Sequence, residues 1–316
     1  MIRRTRLRSL AKINLDLRVL HKHADGFHEM RSVFHTISLA DSIDVEFEGA
    51  RRTEIVLDDP AEIPDNLIVR AARTVLETMR VHARVRFRLA KRIPMGGGFG
   101  GGSSNAAAVL MALPALAGRA LPLETSMEIA AGLGSDVPFF LLGGAAVGAG
   151  RGTELYPLPD LSPEPLLLIV SGVHVATAEA YRALNRGSGF AGLGQSMKAF
   201  QRYVWTLEQG HSAAAASAFS ANDFEASVFE RHPELAVIGA RLCALAPKLG
   251  IAGVRMTGSG SGIFALFRSI EERKRASARL QSDPAFQNCR LVPAALVDRR
   301  RYRQIWRKQL GFPERS

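Results

Sequence analysis

The sequence predicts an α+β fold, and three observations carry that assignment. Short runs of alternating apolar and polar residues, the period of a half-buried strand, are interspersed with apolar faces at helical spacing, without a strict β-α-β rhythm. A segment holding six glycines, 96–102, joins one patterned strand to one patterned helix. Four prolines, Pro157, Pro159, Pro163 and Pro165, fall near the middle of the 316 residues, so two globular units are expected, 1–160 and 161–316.

Ile13, Leu15, Leu17 and Val19 alternate with Asn14, Asp16 and Arg18 as a first strand, and Ile43, Val45 and Phe47 alternate with Asp44 and Glu46 as a second. Asp65 is placed to cap a helix over 66–79, where Leu67, Ala71, Val75 and Met79 share a face. A third strand covers 85–89 and closes at Pro94. After the glycines an alanine-rich run predicts a helix that Pro114 kinks or ends, because proline has no N–H for the preceding turn. Helices follow near 124–133 and 138–142. Past the prolines come a buried strand at 166–170 and helices over 176–184, parts of 193–207, and 224–246; the alanine-rich 211–221 segment reads as helix rather than linker. Two short strands flank the loop 257–262, and a helix near 270–280 and a strand near 290–297 complete the pattern.

Composition excludes several classes. Hydrophobic residues at 47% and charged ones at 22% rule out a largely disordered chain. Cys243 and Cys289 stand far apart with no C-x-x-C, which argues against a disulfide scaffold or thiolate metal site and fits a reducing compartment. The apolar stretch 137–150 is shorter than the ~20 residues a spanning helix needs, and no apolar segment follows the basic start as in a signal peptide. A cytoplasmic protein with no membrane partner is expected. The net charge of +11 invites a polyanion, but nine of these charges lie at the ends: four in Arg3, Arg4, Arg6 and Arg8, and five net in 298–308. They read as solvated ends, with weak polyanion binding as the alternative. Nucleic acid is not the expected partner, since no aromatic-rich basic strand of the RNA-binding type occurs.

The strongest chemical signal is 94–105, Pro-Met-Gly-Gly-Gly-Phe-Gly-Gly-Gly-Ser-Ser-Asn. Glycine permits positive φ and close approach of a ligand to the backbone, and successive N–H groups in such a loop converge on an anion. The loop opens onto a helix whose unpaired first N–H groups also favour phosphate; Ser103 and Ser104 can cap that helix or reach a phosphate or its metal. A mobile turn is a poor account of a loop set between two patterned elements. No lysine follows the glycines, which disfavours a Walker loop. Gly96, Gly98 and Gly101 fit G-x-G-x-x-G only as any glycine-rich run would, and Glu124, at the spacing of a dinucleotide-binding acid, falls at a helix start.

Together with Ser103-Ser104-Asn105-Ala106, this segment resembles the nucleotide-binding motif of the GHMP kinases, and Thr257-Gly-Ser-Gly-Ser-Gly262 is similar to their C-terminal glycine motif. Flanking segments narrow the resemblance. Ala-Lys-Ile-Asn-Leu at 11–15, Ala-Asp-Gly-Phe-His-Glu at 24–29, Asn-Leu-Ile-Val-Arg-Ala-Ala at 66–72, and the segments 91–96, 134–139 and 222–225 resemble the kinases of diphosphocytidyl-methylerythritol in the non-mevalonate isoprenoid route. A homoserine- or mevalonate-type alcohol kinase is the alternative.

The resemblance implies a two-domain fold with the active-site cleft between the domains, ATP and Mg²⁺ as cofactors, and phosphorylation of the acceptor's 2-hydroxyl. It assigns catalysis to Lys12 and Asp136. It assigns nucleotide binding to Asn66, Pro94, Met95, Gly96, Gly97, Gly98, Phe99, Gly100, Gly101, Gly102, Ser103 and Ser104, and substrate binding to Asn14, Phe27, His28 and Thr177. Several have a plainer account: Asp136 and Asn66 are good helix N-caps, Lys12 reads as a solvent-facing strand residue, and His28 follows an Asp-Gly turn. Tyrosine is common where this chain has Phe27; phenylalanine keeps the stacking face and loses the hydroxyl. The arginine-rich extension after Asp298 lies outside the resemblance and is assigned no function.

Overall fold

The computed structural model describes residues 1–184 and 193–311. The first half consists of β1 (Arg3–Lys22), β2 (His28–Gly49), β3 (Glu54–Asp58), α1 (Leu67–Met79), β4 (Ala83–Ala90), α2 (Gly101–Ala117), α3 (Leu123–Leu133), α4 (Val137–Leu142), β5 (Ala145–Gly150) and β6 (Glu154–Pro157). The second consists of β7 (Pro165–Val170), α5 (Thr177–Ala183), α6 (Leu193–Glu208), α7 (Ala213–Ala216), α8 (Phe224–Arg231), α9 (Pro233–Leu249), β8 (Ile251–Met256), β9 (Ile263–Phe267), α10 (Ile270–Gln281), β10 (Arg290–Ala295) and α11 (Arg299–Leu310).

The two sheets follow from the alternation. β1 and β2 form one long antiparallel hairpin, with Arg3 across from Phe47 and Lys22 across from His28. Around it the first sheet runs β3-β4-β2-β5-β6, with β1 paired to β2, and only the β3–β4 pair is parallel. The second sheet runs β10-β7-β9-β8, all antiparallel. On the helix side of the first sheet, Leu7, Val45, Val85 and Phe87 join Ile68 and Val75 of α1 and Val109 and Leu113 of α2 in one buried cluster. Burial of each such side chain contributes about 1.5–3 kcal/mol. The alanines of α2 (Ala106, Ala107, Ala108) let it lie close between its neighbours. Ala11, Ile13 and Leu15 turn the other way and pack with Leu166, Leu168 and Phe264 of the second sheet.

Several expectations are corrected. Asn66, not Asp65, caps α1: its side chain accepts from the Ile68 N–H, while Asp65 takes a positive φ of 47°. Ser103 and Ser104 do not cap α2. That helix begins at Gly101 behind Gly100, whose φ is 67°, and both serines lie within its first turn. Pro114 does not end α2, which runs on to Ala117; with only the last turn beyond it, the missing N–H leaves just the Leu110 carbonyl without its helical donor. The single helix expected over 224–246 is two, α8 and α9, broken at His232 with Pro233 opening the second.

The terminal arginines face solvent, as expected, but the segments that carry them are packed elements of the fold. Arg4 pairs with Glu46 at 2.7 Å and Arg6 with Asp44 at 2.5 Å across the hairpin. The extension after Asp298 is the helix α11, capped by the Asp298 side chain, with Tyr302 and Trp306 buried against the first half. Tyr302 donates to the Phe140 carbonyl, and Arg299 donates to the carbonyls of Gly143, Ala145 and Leu158. An aromatic pair one turn apart anchors the helix while its other side carries charge into water.

Candidate active site

Lys12 and Asn14 lie on the face of β1 opposite the apolar Ala11, Ile13 and Leu15, yet both are buried. Register irregularities in the β1–β2 ladder flank them, between Leu10 and Lys12 and between Asn14 and Asp16. Such bulges re-aim side chains next to functional sites. The Lys12 ammonium is 3.3 Å from a carboxylate oxygen of Asp136, donates to Asn14 Oδ1 at 2.7 Å, and lies 5.4 Å from the centre of the Phe34 ring. Lys12 therefore does not point to solvent. Asp136 occupies the N-cap position of α4, but its side chain makes no capping hydrogen bond. A third of that side chain is exposed, so the carboxylate is open to a ligand while tied to a buried cation.

Asn14 joins this pair to the second glycine-rich loop. Its Oδ1 also accepts from the Gly258 N–H at 3.0 Å, its backbone N–H donates to Thr257 Oγ1 at 3.0 Å, and its Nδ2 donates to Ser32 Oγ at 2.7 Å. Asn222 holds the same loop from behind, donating to the carbonyls of Met256 and Gly258.

The first glycine loop is ordered by what its carbonyls do. Those of Gly96 and Gly97 accept from the Ser261 and Gly262 N–H groups, that of Gly98 from Thr257 Oγ1, and that of Phe99 from the Lys12 N–H. Among the described residues, no N–H from Gly96 to Ser103 donates to the protein. The acceptors are thus spent inward and the donors are free, an arrangement able to cradle an anion. These residues, with Asn66, Pro94 and Met95, line a cavity of about 400 Å³. Ser104 does not line it: its hydroxyl is buried and donates to the Leu10 carbonyl. Lys91, at the same cavity, is tied to the buried carboxylate of Asp41.

A second cavity, about 840 Å³, is lined by Phe27, His28, Asp136, Thr177 and Tyr181 among others, and it shares Ser103 with the first. Thr177 Oγ1 is 2.9 Å from Ser259 Oγ. Phe27 is about half exposed, and the Arg151 guanidinium carbon lies 3.7 Å from its ring centre. The His28 ring sits 5.0 Å from that of Tyr181, which meets Phe224 edge-on. Burial, with the charges of Lys22 and His23, pushes the His28 imidazole below its ordinary pKa. Burial and the Asp136 charge push the Tyr181 phenol up to about 12, so it stays an intact hydroxyl.

Sequence reasoning missed Tyr181 and Arg151, and it singled out the segments of Asn222 and Thr257 without assigning the contacts they make. A signal existed for Tyr181, which lies four residues after Thr177 and so one helical turn away on the same face. Arg151 had none, because nothing local connects it to Phe27.

The descriptions of two family models match: GHMP kinases N terminal domain over residues 66–144 and GHMP kinases C terminal over 190–284. A 4-diphosphocytidyl-2-C-methyl-D-erythritol kinase of Solibacter usitatus is 50% identical over 318 residues, covering 99% of this chain and 95% of the relative. One of Thermotoga maritima is 38% identical, covering 82% and 90%. A crystal structure of 4-(cytidine 5'-diphospho)-2C-methyl-D-erythritol kinase superposes with a TM-score of 0.73 at 34% identity, over 94% of this chain and 99% of that one. A homoserine kinase from Cytophaga hutchinsonii reaches 0.72 at 18% identity, over 93% and 95%, a likeness of fold alone.

Proposed function

The chain belongs to the GHMP kinases and, within them, to the 4-diphosphocytidyl-2-C-methyl-D-erythritol kinase family, and we infer that it transfers the γ-phosphoryl group of ATP to the 2-hydroxyl of that acceptor. The observation that carries the reading is the Lys12–Asp136 pair, beside an acceptor cavity that meets the glycine cradle at Ser103.

In this reading the free N–H groups of 96–103 hold the phosphates, and Asn66, Pro94 and Met95 line the rest of the nucleotide cavity. ATP is the phosphoryl donor, and Mg²⁺, when bound, would supply charge neutralisation for the transferred group. Among the described residues no three His, Cys, Asp or Glu side chains cluster as a protein-only metal site. Mg²⁺ commonly takes most of its ligands from water and phosphate, and the Ser103 hydroxyl, where the two cavities meet, would be a protein oxygen for it.

Asp136 takes the proton of the attacking hydroxyl. A carboxylate is a weak base toward an alcohol, so the proton moves late, as the new P–O bond forms. Of the three ammonium donors of Lys12, Asn14 takes one and Asp136 faces another, leaving the third for a phosphoryl oxygen. Phe27, His28 and Tyr181 form the base-recognising end and Thr177 the sugar-alcohol end, while Asn14, buried and outside the cavity lining, positions Lys12. Residues 1–160 would then hold the nucleotide, and 161–316 would close the acceptor side, with α11 returning to the first unit.

The test is ADP release from ATP and Mg²⁺ with diphosphocytidyl-methylerythritol, homoserine and mevalonate in parallel. Turnover of the first alone is expected. Turnover of either of the others at a comparable rate, or none with the first, overturns the assignment.

A further inference from the structure

The arginine-rich helix α11 has no part in the chemistry described so far, yet it is bound to the element that follows Asp136. α4 is six residues long, starts directly after Asp136, and buries Phe139 and Phe140 completely. A helix that short is marginal by itself, and its last four carbonyls have no partner within it. The Phe139 carbonyl accepts from the Gly143 N–H. The Phe140 carbonyl takes its donor from α11, the Tyr302 hydroxyl. Just past the helix end, the Arg299 guanidinium donates to the Gly143 and Ala145 carbonyls. Burial raises the Tyr302 phenol above its ordinary pKa, so it remains a donor. The approach is also close. A Cβ at Gly143 would lie 2.1 Å from the Tyr302 ring, and one at Gly144 would lie 2.6 Å from the Arg299 Cβ.

Taking Asp136 as the base, as inferred above, we propose that Tyr302 and Arg299 are positioning residues for the phosphoryl transfer. They fix α4 and, through it, set the Asp136 carboxylate against the Lys12 ammonium. The segment that the resemblance left without a function is then part of the kinase machinery, although it touches neither ligand cavity's reacting groups.

Contacts run from α11 to the catalytic pair without a gap. Phe140, whose carbonyl Tyr302 holds, lies one turn on from Asp136. A Cβ built on Gly100 would be 3.0 Å from the tip of the Phe140 ring and 3.1 Å from Lys12 Cγ. Ring, glycine cradle and lysine stem therefore meet at one point. Phe140 also meets Phe139 with ring centres 5.3 Å apart, and Phe139 meets Phe34 at 5.2 Å. Phe34 is the ring that faces the Lys12 ammonium. Lys12 has its own anchor, because Asn14 on the same strand accepts from its ammonium. A shift of α4 therefore changes the distance between Asp136 and Lys12 and does not carry the two together.

The experiment compares steady-state kinetics of Tyr302→Phe, which removes one hydroxyl and keeps the ring, and of Arg299→Gln. Gln309→Ala is the control. It loosens the far end of α11, where the Gln309 side chain accepts from the Arg8 N–H, and leaves α4 alone. A catalytic group misplaced by roughly 1 Å costs about a hundredfold, so losing one tie of α4 should lower kcat about tenfold. KM for ATP and for the acceptor should stay within about twofold of wild type, and Gln309→Ala should turn over normally. Wild-type kcat in both variants overturns the proposal. So does a rise of KM in step with the loss of kcat, or an equal loss in Gln309→Ala, since either would mean general loosening. Hydrogen exchange of the α4 amides, read without substrate, should quicken about tenfold in Tyr302→Phe and Arg299→Gln but not in Gln309→Ala; unchanged exchange refutes the clamp. A wild-type protein without turnover overturns the kinase reading and the positioning role with it, and the exchange result separates that case from a failure of the clamp.

Discussion

Replacing Gly98 by alanine tests how tightly the two glycine loops are coupled to the proposed catalytic pair, Lys12 and Asp136. Gly98 has φ of +75°, and a Cβ built there would lie 2.2 Å from the Thr257 carbonyl oxygen and 2.9 Å from its carbon. Neither atom belongs to a side chain that can swing away. The left-handed backbone alone costs a non-glycine residue about 1–2 kcal/mol, and overpacking against fixed neighbours adds about 1–3 kcal/mol. Relief requires the loops to part, and Thr257 and Gly258 cannot move without Asn14, which both contact. Asn14 in turn holds the Lys12 ammonium. Misplacing a catalytic group by roughly 1 Å costs about a hundredfold in rate. Gly98→Ala should therefore lose about 2–5 kcal/mol in urea denaturation, and turnover per folded molecule should fall about a hundredfold. Gly132→Ala, at the exposed penultimate position of α3 with nothing within 4 Å of its would-be Cβ, is the control and should gain up to about 1 kcal/mol. If Gly98→Ala is destabilised but turns over like wild type, the relay through Asn14 is refuted. Wild-type stability would refute the close approach itself.

Asp136→Asn keeps the shape of the site and removes the proposed base; turnover should fall by about 10²–10⁴ while ATP and CDP bind as before in calorimetry, and near-normal turnover would reassign the base. Trp306→Ala should cost about 3–5 kcal/mol by urea denaturation, since its ring is buried under α11; no change would return the arginine-rich segment to the status of a solvated tail. His35 is fully buried, and desolvation lowers its pKa to about 4 from 6.5. The unfolded chain then binds the extra proton first, so stability should fall as pH drops from 6.5 toward 4, by about 3 kcal/mol in all. Stability curves at pH 7 and pH 5 that differ less in His35→Gln than in wild type would bear this out, and equal pH dependence in the two would not.

Much of the site was legible from local pattern. The glycine segment announces an anion cradle because only residues without a Cβ can turn their amides toward one point, and the structure spends the loop carbonyls elsewhere, as that use requires. The alternation through Ile13, Leu15 and Leu17 is the first strand, although the strand is far longer at both ends. There Arg4 and Arg6 read as solvated residues, and only the hairpin register shows that they also pair across it with Glu46 and Asp44. The break between α8 and α9 is readable at Pro233, because proline suits the first position of a new helix and cannot continue the preceding one.

Residue types and short-range spacing determined which segments turn, cap, alternate and cradle an anion, because those properties depend on φ, hydrogen-bonding capacity and apolar period within a few residues. What depended on the fold was which distant groups meet. Lys12 faces Asp136 because bulges turn a strand residue inward and α4 begins beside it. Arg151 lies on Phe27 because β5 runs next to β2 and its following turn reaches the end of the hairpin. The last arginines form a docked helix because Tyr302 and Trp306 find a surface built from β1, α2 and α4. Such encounters are set by the packing of whole elements, whose free energy is a sum over many contacts, and no short stretch of sequence contains that sum.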